Sequence, residues 1–87
     1  MRTIHKYELS IIDDIQEFNL TNSYSINHFG EQDGKLMMWA DIRTESVDHL
    51  TKIQVIGTGH DIGEYRASHL QTVQMSNGLV WHIYEVG

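Results

Sequence analysis

The sequence has 87 residues, which is enough for one domain and gives no reason to expect a second. Twelve acidic and six basic residues leave a formal net charge of −6, and the basic residues are scattered along the chain. A general nucleic-acid binder needs clustered Lys and Arg, so we expect no such partner. The chain has no cysteine, no signal-peptide pattern and no apolar run long enough to cross a membrane. We therefore expect a single domain over residues 1–87 with no membrane partner.

The first half of the chain predicts four strands, which are TIHKYEL, IQEFNL, YSINHF and KLMMWADI in chain order. The third and fourth flank Asp33-Gly34, a pair that is typical of hairpins, and we expect a longer loop over residues 30–35. The fourth strand alternates with period 2, so that Met38 lies on one face and Trp39 on the other. This pattern predicts a strand whose inner face belongs to the core.

The second half predicts further strands in KIQVIG, LQTVQM and LVWHIYEV. The last two flank Asn77-Gly78, which is the strongest short-range hairpin signal in the chain. Between Arg43 and Leu50 the segment RTESVDHL carries the only plausible helical turn. The sequence therefore predicts an all-β fold, or nearly so with this one short helical turn. We expect a small antiparallel β-sandwich or partly open barrel of six to seven strands.

The expected core takes apolar side chains from every strand. Its members are Ile4, Tyr7, Leu9, Ile15, Phe18, Leu20, Ile26, Leu36, Met38, Ile42, Ile53, Val55, Val73, Leu79, Trp81 and Ile83. Other apolar side chains, such as Val80, Tyr84 and Val86, remain for a second face that one thin sheet would expose. Two solutions stay open at this point. The first is a homo-oligomer, with a twofold dimer as the first guess, and the second is a better-closed barrel.

The histidines do not predict a metal site. The six are well separated, with no HxH or HExxH pair, although a spatial cluster of His5, His60 and His82 remains an alternative. No catalytic motif and no cofactor motif is recognisable, so we expect a protein that is not an enzyme. Trp39 lies opposite the predicted core face, which makes it a candidate for contact with a partner.

The segment Gly57-Thr58-Gly59-His60 has two interpretations. Its glycines can expose successive backbone N–H groups to an anion, with Lys52 or Arg66 completing the site. Alternatively, the two glycines permit positive φ where a strand bends. Spacing alone favours the bend.

Three segments together resemble a known family. MRTIHKYEL, VIGTGH and LVWHIYEV, with a central tryptophan in MWAD, resemble a family of short bacteriophage proteins of unknown function. The resemblance indicates candidate binding residues, which Trp39 and Arg66 join from the arguments above. The full candidate set is His5, Lys6, Tyr7, Trp39, Gly57, Thr58, Gly59, His60, Arg66 and His82.

What the resemblance implies is a setting. We expect a non-enzymatic phage accessory protein, in the cytoplasm of the infected bacterial host, that binds and inhibits a host factor. A component of CRISPR or of another anti-phage defence system is the expected target. One alternative is a sponge that sequesters a small anionic nucleotide signal. A histidine-dependent hydrolase is a further alternative.

Overall fold

The computed structural model describes residues 1–12, 14–64 and 66–87. Within these residues the chain forms seven strands and no helix, which confirms the predicted all-β class. No helix that could cross a membrane is found in this part of the chain. The strands are β1 (Arg2–Glu8), β2 (Gln16–Thr21), β3 (Ser25–Gln32), β4 (Lys35–Arg43), β5 (Asp48–Gly57), β6 (Ala67–Gln74) and β7 (Val80–Val86).

The predicted helical turn between Arg43 and Leu50 is wrong. The Ser46 N–H donates to the Arg43 carbonyl over 3.1 Å, which closes one turn, and β5 begins at Asp48. Helix nucleation is costly, and four residues between two strands leave no room for a second helical hydrogen bond.

The strands form two antiparallel sheets that pack face to face. The three-stranded sheet has the order β1-β4-β3, and the four-stranded sheet has the order β2-β5-β7-β6. Among the described residues no strand pairing closes the sheets into a barrel, so the sandwich is the predicted form that the chain adopts. Each sheet keeps two edge strands, which are β1 and β3 in one and β2 and β6 in the other.

The core lies between the two sheets and follows the predicted alternation. In β4, Met38 on the inner face is fully buried, whereas Trp39 on the outer face is half-buried. The buried cluster consists of Leu9, Leu20, Phe29, Leu36, Met38, Ile53, Val55, Val73, Met75 and Ile83.

Three residues of the predicted core are instead on the surface. Ile4, Ile15 and Leu79 are 59%, 39% and 53% exposed. Ile4 stands beside Asp41 on the outer face of β4, and the other two lie just outside β2 and β7, where the chain turns. Ile4 and Tyr7 are three positions apart in an unbroken strand, so they cannot share the inner face. For Ile15 and Leu79 the reason is different, because alternation does not say where a strand begins.

A bulge in β3 explains why the sequence did not indicate Phe29 as a core residue. The pairing with β4 shifts between Ile26 and His28, which leaves Asn27 as an extra residue. Ile26 and Phe29, three positions apart, therefore both face the core, and His28 faces outward. Strict alternation from Ile26 would have placed Phe29 on the surface.

Both predicted hairpins form, and the loop of the first is shorter than expected. Asp33 and Gly34, at φ 53° and 78°, make a two-residue turn between the paired residues Gln32 and Lys35. The loop predicted over residues 30–35 is therefore too long, because β3 continues to Gln32. This geometry is a type I′ turn, whose twist matches that of the flanking strands.

The connection from β5 to β6 must travel the length of the four-stranded sheet. β5 and β6 lie on either side of β7 and both run antiparallel to it. Gly57, at the end of β5, is paired with Trp81, whereas Ala67, at the start of β6, is paired with Val86. The two ends of the connection are therefore at opposite ends of β7, which explains the long segment between them.

This crossover covers part of the outer face of the four-stranded sheet. Ile62 of the crossover lines a hollow together with Ile56, His82 and Tyr84, and Ile56 is only 2% exposed. The chain thus covers some of the second apolar face that the sequence left without a partner.

Glutamine amides connect the two sheets at their edges. The Gln71 amide on β6 accepts from the Phe29 N–H (3.0 Å) and donates to the Phe29 carbonyl (2.7 Å) on β3. At the opposite edge the Gln16 amide bonds in the same way to the N–H (2.8 Å) and carbonyl (2.6 Å) of Ser10. Each amide acts as a short strand segment that joins one sheet to the other.

Replacing Gln71 by Ala should lower the free energy of unfolding by about 2–3 kcal/mol, measured by urea denaturation. Two hydrogen bonds are lost, and the N–H and carbonyl of the buried Phe29 stay without a partner. Gln74→Ala, on an exposed position of the same strand, is the matched control and should change stability by less than about 0.5 kcal/mol. Equal effects of the two substitutions would contradict the bridging role of Gln71.

The contact between Glu31 of β3 and Ser76 of the β6–β7 turn is a second link between the two sheets, and it should make stability depend on pH. The Ser76 hydroxyl and backbone N–H donate to the Glu31 carboxylate and lower the pKa of that group below its usual range. A lowered pKa in the folded state stabilises the fold above the ordinary pKa, and that contribution is lost as pH falls through the folded value. Glu31→Gln should therefore be less stable than the natural chain near pH 6, and the difference should close toward pH 3. Ser76→Ala should show a smaller version of this behaviour, and a difference that stays constant with pH would refute it.

Candidate functional site

Residues Gly57–His60, here called the GTGH corner, form a tight turn at the end of β5. The His60 N–H donates to the Gly57 carbonyl over 3.0 Å, which makes the four residues a β-turn. Gly59 occupies its third position with φ 87°, the left-handed conformation that a type II turn requires there. The interpretation of this segment as a bend is therefore confirmed for Gly59.

Gly57 is required for a different reason, which is close packing. Its φ is not positive, but a Cβ atom at this position would lie 3.0 Å from ring atoms of both His60 and Trp81. The two rings thus meet over the bare backbone of Gly57, where β5 pairs with β7. The second glycine of the pattern permits the turn, and the first allows two aromatic rings to approach each other.

A hydrogen-bonded chain of hydroxyls and imidazoles extends from the corner across the outer face of the sheet. The Thr58 hydroxyl lies 2.8 Å from Nε2 of His82, and the Thr72 hydroxyl lies 3.0 Å from Nδ1 of the same ring. Thr72 also lies 2.8 Å from Nε2 of His69. Both nitrogens of His82 are therefore engaged, and one threonine hydroxyl bridges two histidines.

His69 and Thr72 were not recognisable as site residues in the sequence, because a second bulge brings them together. The pairing of β6 with β7 shifts between His69 and Gln71, so Leu70 is the extra residue. His69 and Thr72 consequently share the outer face although they are three positions apart. A bulge has no reliable sequence signal in a strand without glycine, and strict alternation would place His69 and Thr72 on opposite faces.

Two shallow hollows flank the GTGH corner. The larger, of about 310 Å³, is bounded by the corner and by the tip of the β6–β7 hairpin; it is lined by Gly57, Thr58, His60, Gly78, Leu79, Val80 and Trp81. The smaller, of about 190 Å³, lies on the side of the crossover; it is lined by Ile56, Gly57, Thr58, Gly59, His60, Ile62, His82 and Tyr84. The corner is the wall that both hollows share.

The cations proposed to complete an anion site lie far from the corner. Lys52 and Ala67 are both paired with Val86, whereas Gly57 is paired with Trp81. Arg66 directly precedes Ala67, so it also belongs to the Val86 end of the sheet. Five residues of extended strand separate the two ends, or about 17 Å. The structure does not bring Lys52 or Arg66 to the GTGH corner.

The remaining predicted residues lie on the other sheet. Lys6 and Trp39 are cross-strand neighbours on its outer face, where the Lys6 ammonium donates to the Gln32 side chain over 2.8 Å. The Trp39 ring stacks on His28 with centroids 5.8 Å apart, so this expected contact residue is partly covered by its own chain.

His5 and Tyr7 belong to the inner side of β1. Tyr7 packs edge-on against Phe18, with ring centroids 5.9 Å apart, and burial raises the pKa of its hydroxyl. His5 contacts Tyr7, whereas His60 and His82 are on the four-stranded sheet, so the three do not form one cluster. Within residues 1–12, 14–64 and 66–87, no group of three or more His, Asp or Glu could hold a metal ion.

Comparison with known proteins identifies a family but no activity. The model of a domain of unknown function, DUF7352, matches residues 1–87. Searches of the curated proteins and of the solved structures found no match.

The two glycines of the corner should respond differently to alanine. Gly57→Ala should lower the free energy of unfolding by about 1–2 kcal/mol and shift Trp81 fluorescence, because the new methyl group pushes against the indole. Gly59→Ala should cost about 1 kcal/mol through its positive φ but leave Trp81 fluorescence unchanged, since a Cβ there meets open space. Both are measured in a Trp39→Phe background, so that Trp81 is the one tryptophan. An unchanged Trp81 signal in Gly57→Ala would contradict the close approach.

Proposed function

We propose that this chain, which belongs to the DUF7352 family of domains of unknown function, is a non-enzymatic protein that binds a host protein through the GTGH corner. The proposed setting is that of a phage accessory protein that blocks a defence component in the host cytoplasm. The resemblance of its three segments to short phage proteins supports this setting.

The larger hollow beside the corner is the observation that carries the proposal. Trp81, Val80 and Leu79 supply apolar surface, and Leu79 is 53% exposed, so it is accessible to a partner. Thr58 and His60 supply polar groups at the opposite wall. An apolar centre with a polar rim is the usual composition of a protein interface, and it suits an apolar side chain inserted by the partner.

Charge supports a protein partner over a small anion. Neither hollow is lined by Lys or Arg among the described residues. A nucleotide sponge would need such groups near its phosphates. The chain as a whole carries a net charge of −6, so a partner with basic residues around the inserted side chain is favoured electrostatically.

The contacts of His82 support binding more than hydrolysis. Both nitrogens of His82 face threonine hydroxyls, so this ring holds the crossover and β6 against β7. A general base needs a nitrogen directed at the substrate. The Thr58–His82 hydrogen bond holds the wall of the corner in place. Less conformational entropy is therefore lost when a partner binds.

Leu79→Asp should abolish capture of the partner from a host lysate. A carboxylate placed in the apolar hollow would have to be desolvated on binding, and the loss at a central interface residue corresponds to about thirtyfold or more in Kd. The control is Leu50→Asp, because Leu50 is 49% exposed at the other end of the four-stranded sheet and should bind like the natural chain. Circular dichroism checks that both variants are folded.

The outcomes separate the three functions. Equal capture by both variants, or equal loss, would refute the corner as the docking surface. A large thermal stabilisation by a cyclic or linear nucleotide would favour the sponge instead. Loss of an activity in His60→Ala and His82→Ala, where the natural chain accumulates product, would favour the hydrolase.

A further inference from the structure

The edge strand β1 is an open edge of this sandwich. It pairs with β4 on one side, and within residues 1–12, 14–64 and 66–87 no strand lies on its other side. The edges formed by β3 and β6 are joined to each other by the Gln71 amide. The edge of β2 carries Glu17 as its one charged residue. β1 differs because both signs of charge are present along its length.

The direction of the free hydrogen-bonding groups of β1 follows from its two ends. The Met1 carbonyl accepts from the Thr44 N–H, and the Leu9 N–H donates to the Leu36 carbonyl, both over 2.9 Å. Hydrogen-bonded pairs alternate along an antiparallel ladder, so the odd-numbered residues of β1 bond to β4. The even-numbered residues therefore direct their N–H and carbonyl groups outward. They are Arg2, Ile4, Lys6 and Glu8.

The side chains of these four residues all lie on the outer face of the three-stranded sheet. Each is paired with an outward-facing residue of β4, for example Lys6 with Trp39. When β1 pairs antiparallel with β1 of a second copy, the outer face stays continuous only if even-numbered residues of one copy lie opposite even-numbered residues of the other. Three such registers retain most of the contact, centred on residue 4, 5 or 6.

Charge selects one of the three registers. A register centred on residue 4 places Arg2 of one copy opposite Lys6 of the other, and one centred on residue 6 places the two Lys6 residues opposite each other. Both are unfavourable, because like charges then lie directly opposite across the strands. Centring on His5 places Arg2 opposite Glu8 at both ends of the contact. The same register sets Ile4 opposite the aliphatic stem of Lys6.

We propose that β1 pairs antiparallel with β1 of a second copy, centred on His5, to form a twofold dimer with a continuous six-stranded sheet. The symmetry makes every contact occur twice, so two Arg2–Glu8 pairs flank the axis. Ile4, which is 59% exposed in the single chain, becomes covered by Lys6 of the second copy.

Arg2 is already oriented for this role. Its Nε and Nη2 donate to the Asp41 carboxylate over 2.8 and 2.7 Å, which holds the guanidinium over the outer face of β4. Nη1 remains to donate to Glu8 of the second copy. Lys35 approaches Glu8 from the same chain at 3.8 Å, so the carboxylate lies among cations from both copies.

Charge reversal tests the register. By sedimentation equilibrium the natural chain should have twice the mass of one 10.1 kDa chain. Arg2→Glu alone and Glu8→Arg alone should each raise the dissociation constant at least about tenfold, because each puts like charges at both ends.

Mixing the two variants restores the opposite charges. An equimolar mixture of Arg2→Glu and Glu8→Arg should dimerise again, because the two reversed positions then face each other with opposite signs. At the other end of the contact, the unchanged Arg2 of one variant meets the unchanged Glu8 of the other. Asp41→Ala controls for the loss of the Arg2–Asp41 bond and should leave the dimer in place.

A backbone variant tests the edge independently of charge. The N–H of Ile4 points away from β4, so Ile4→Pro should leave the single chain folded and prevent the dimer. His5→Pro, one position along, removes a bond to β4 and should instead lower the free energy of unfolding. A natural chain that stays a monomer at high concentration would overturn the proposal. So would a dimer that survives Arg2→Glu, Glu8→Arg and Ile4→Pro. Since β1 is not part of the GTGH corner, these outcomes do not depend on the proposed function.

Discussion

The direction of two strands governs most of this structure. β5 and β6 flank β7 and run the same way, so the chain has to return from the Gly57 end of the sheet to the Ala67 end before β6 can begin. A parallel pair cannot be joined by a tight turn, and a crossing segment is the available solution. The crossing segment must leave the end of β5 sharply, which is why a type II turn with Gly59 stands there. By turning back over β7, the chain brings Thr58 to His82 and places Ile62 in the hollow that Ile56 also lines. The crossover therefore covers part of the outer face and shapes the candidate binding surface.

The edge strands of the two sheets differ in whether side chains of the other sheet bond to their backbone groups. Gln71 and Gln16 each satisfy the N–H and carbonyl of one residue of the opposite sheet or its connection. A primary amide has one donor end and one acceptor end, so it can replace a strand at a single residue. These contacts close the sandwich without closing a barrel. The β1 edge receives no such partner among the described residues, and an unpaired edge with exposed Ile4 is the kind that pairs with another chain.

The strands and part of the site were predictable from the sequence because their signals are local. Alternation in KLMMWADI, the Asp33-Gly34 and Asn77-Gly78 pairs and the turn at Gly57 to His60 depend on neighbouring residues, and all were confirmed. The errors occur where tertiary pairing decides. Bulges at Asn27 and Leu70 reverse the alternation, so Phe29 was missed in the core and Thr72 was missed in the site. Arg66 is close to the GTGH corner in sequence, but this proximity was misleading. The crossover places Arg66 at the opposite end of the four-stranded sheet from the corner. Distance along the chain predicts contact within a turn and fails across a crossover.

The two surfaces of the molecule are compatible because they belong to different sheets. The GTGH corner lies at the end of β5, beside the start of β7, and β1 is an edge of the other sheet. Pairing through β1 would leave both corners free, so a dimer would present two copies of the same hollow related by a twofold axis. Such an arrangement suits a partner that is itself a symmetric oligomer or that repeats its binding segment. When both corners engage one target, the second contact forms at a high effective concentration, and modest affinity at a shallow hollow becomes sufficient for tight binding.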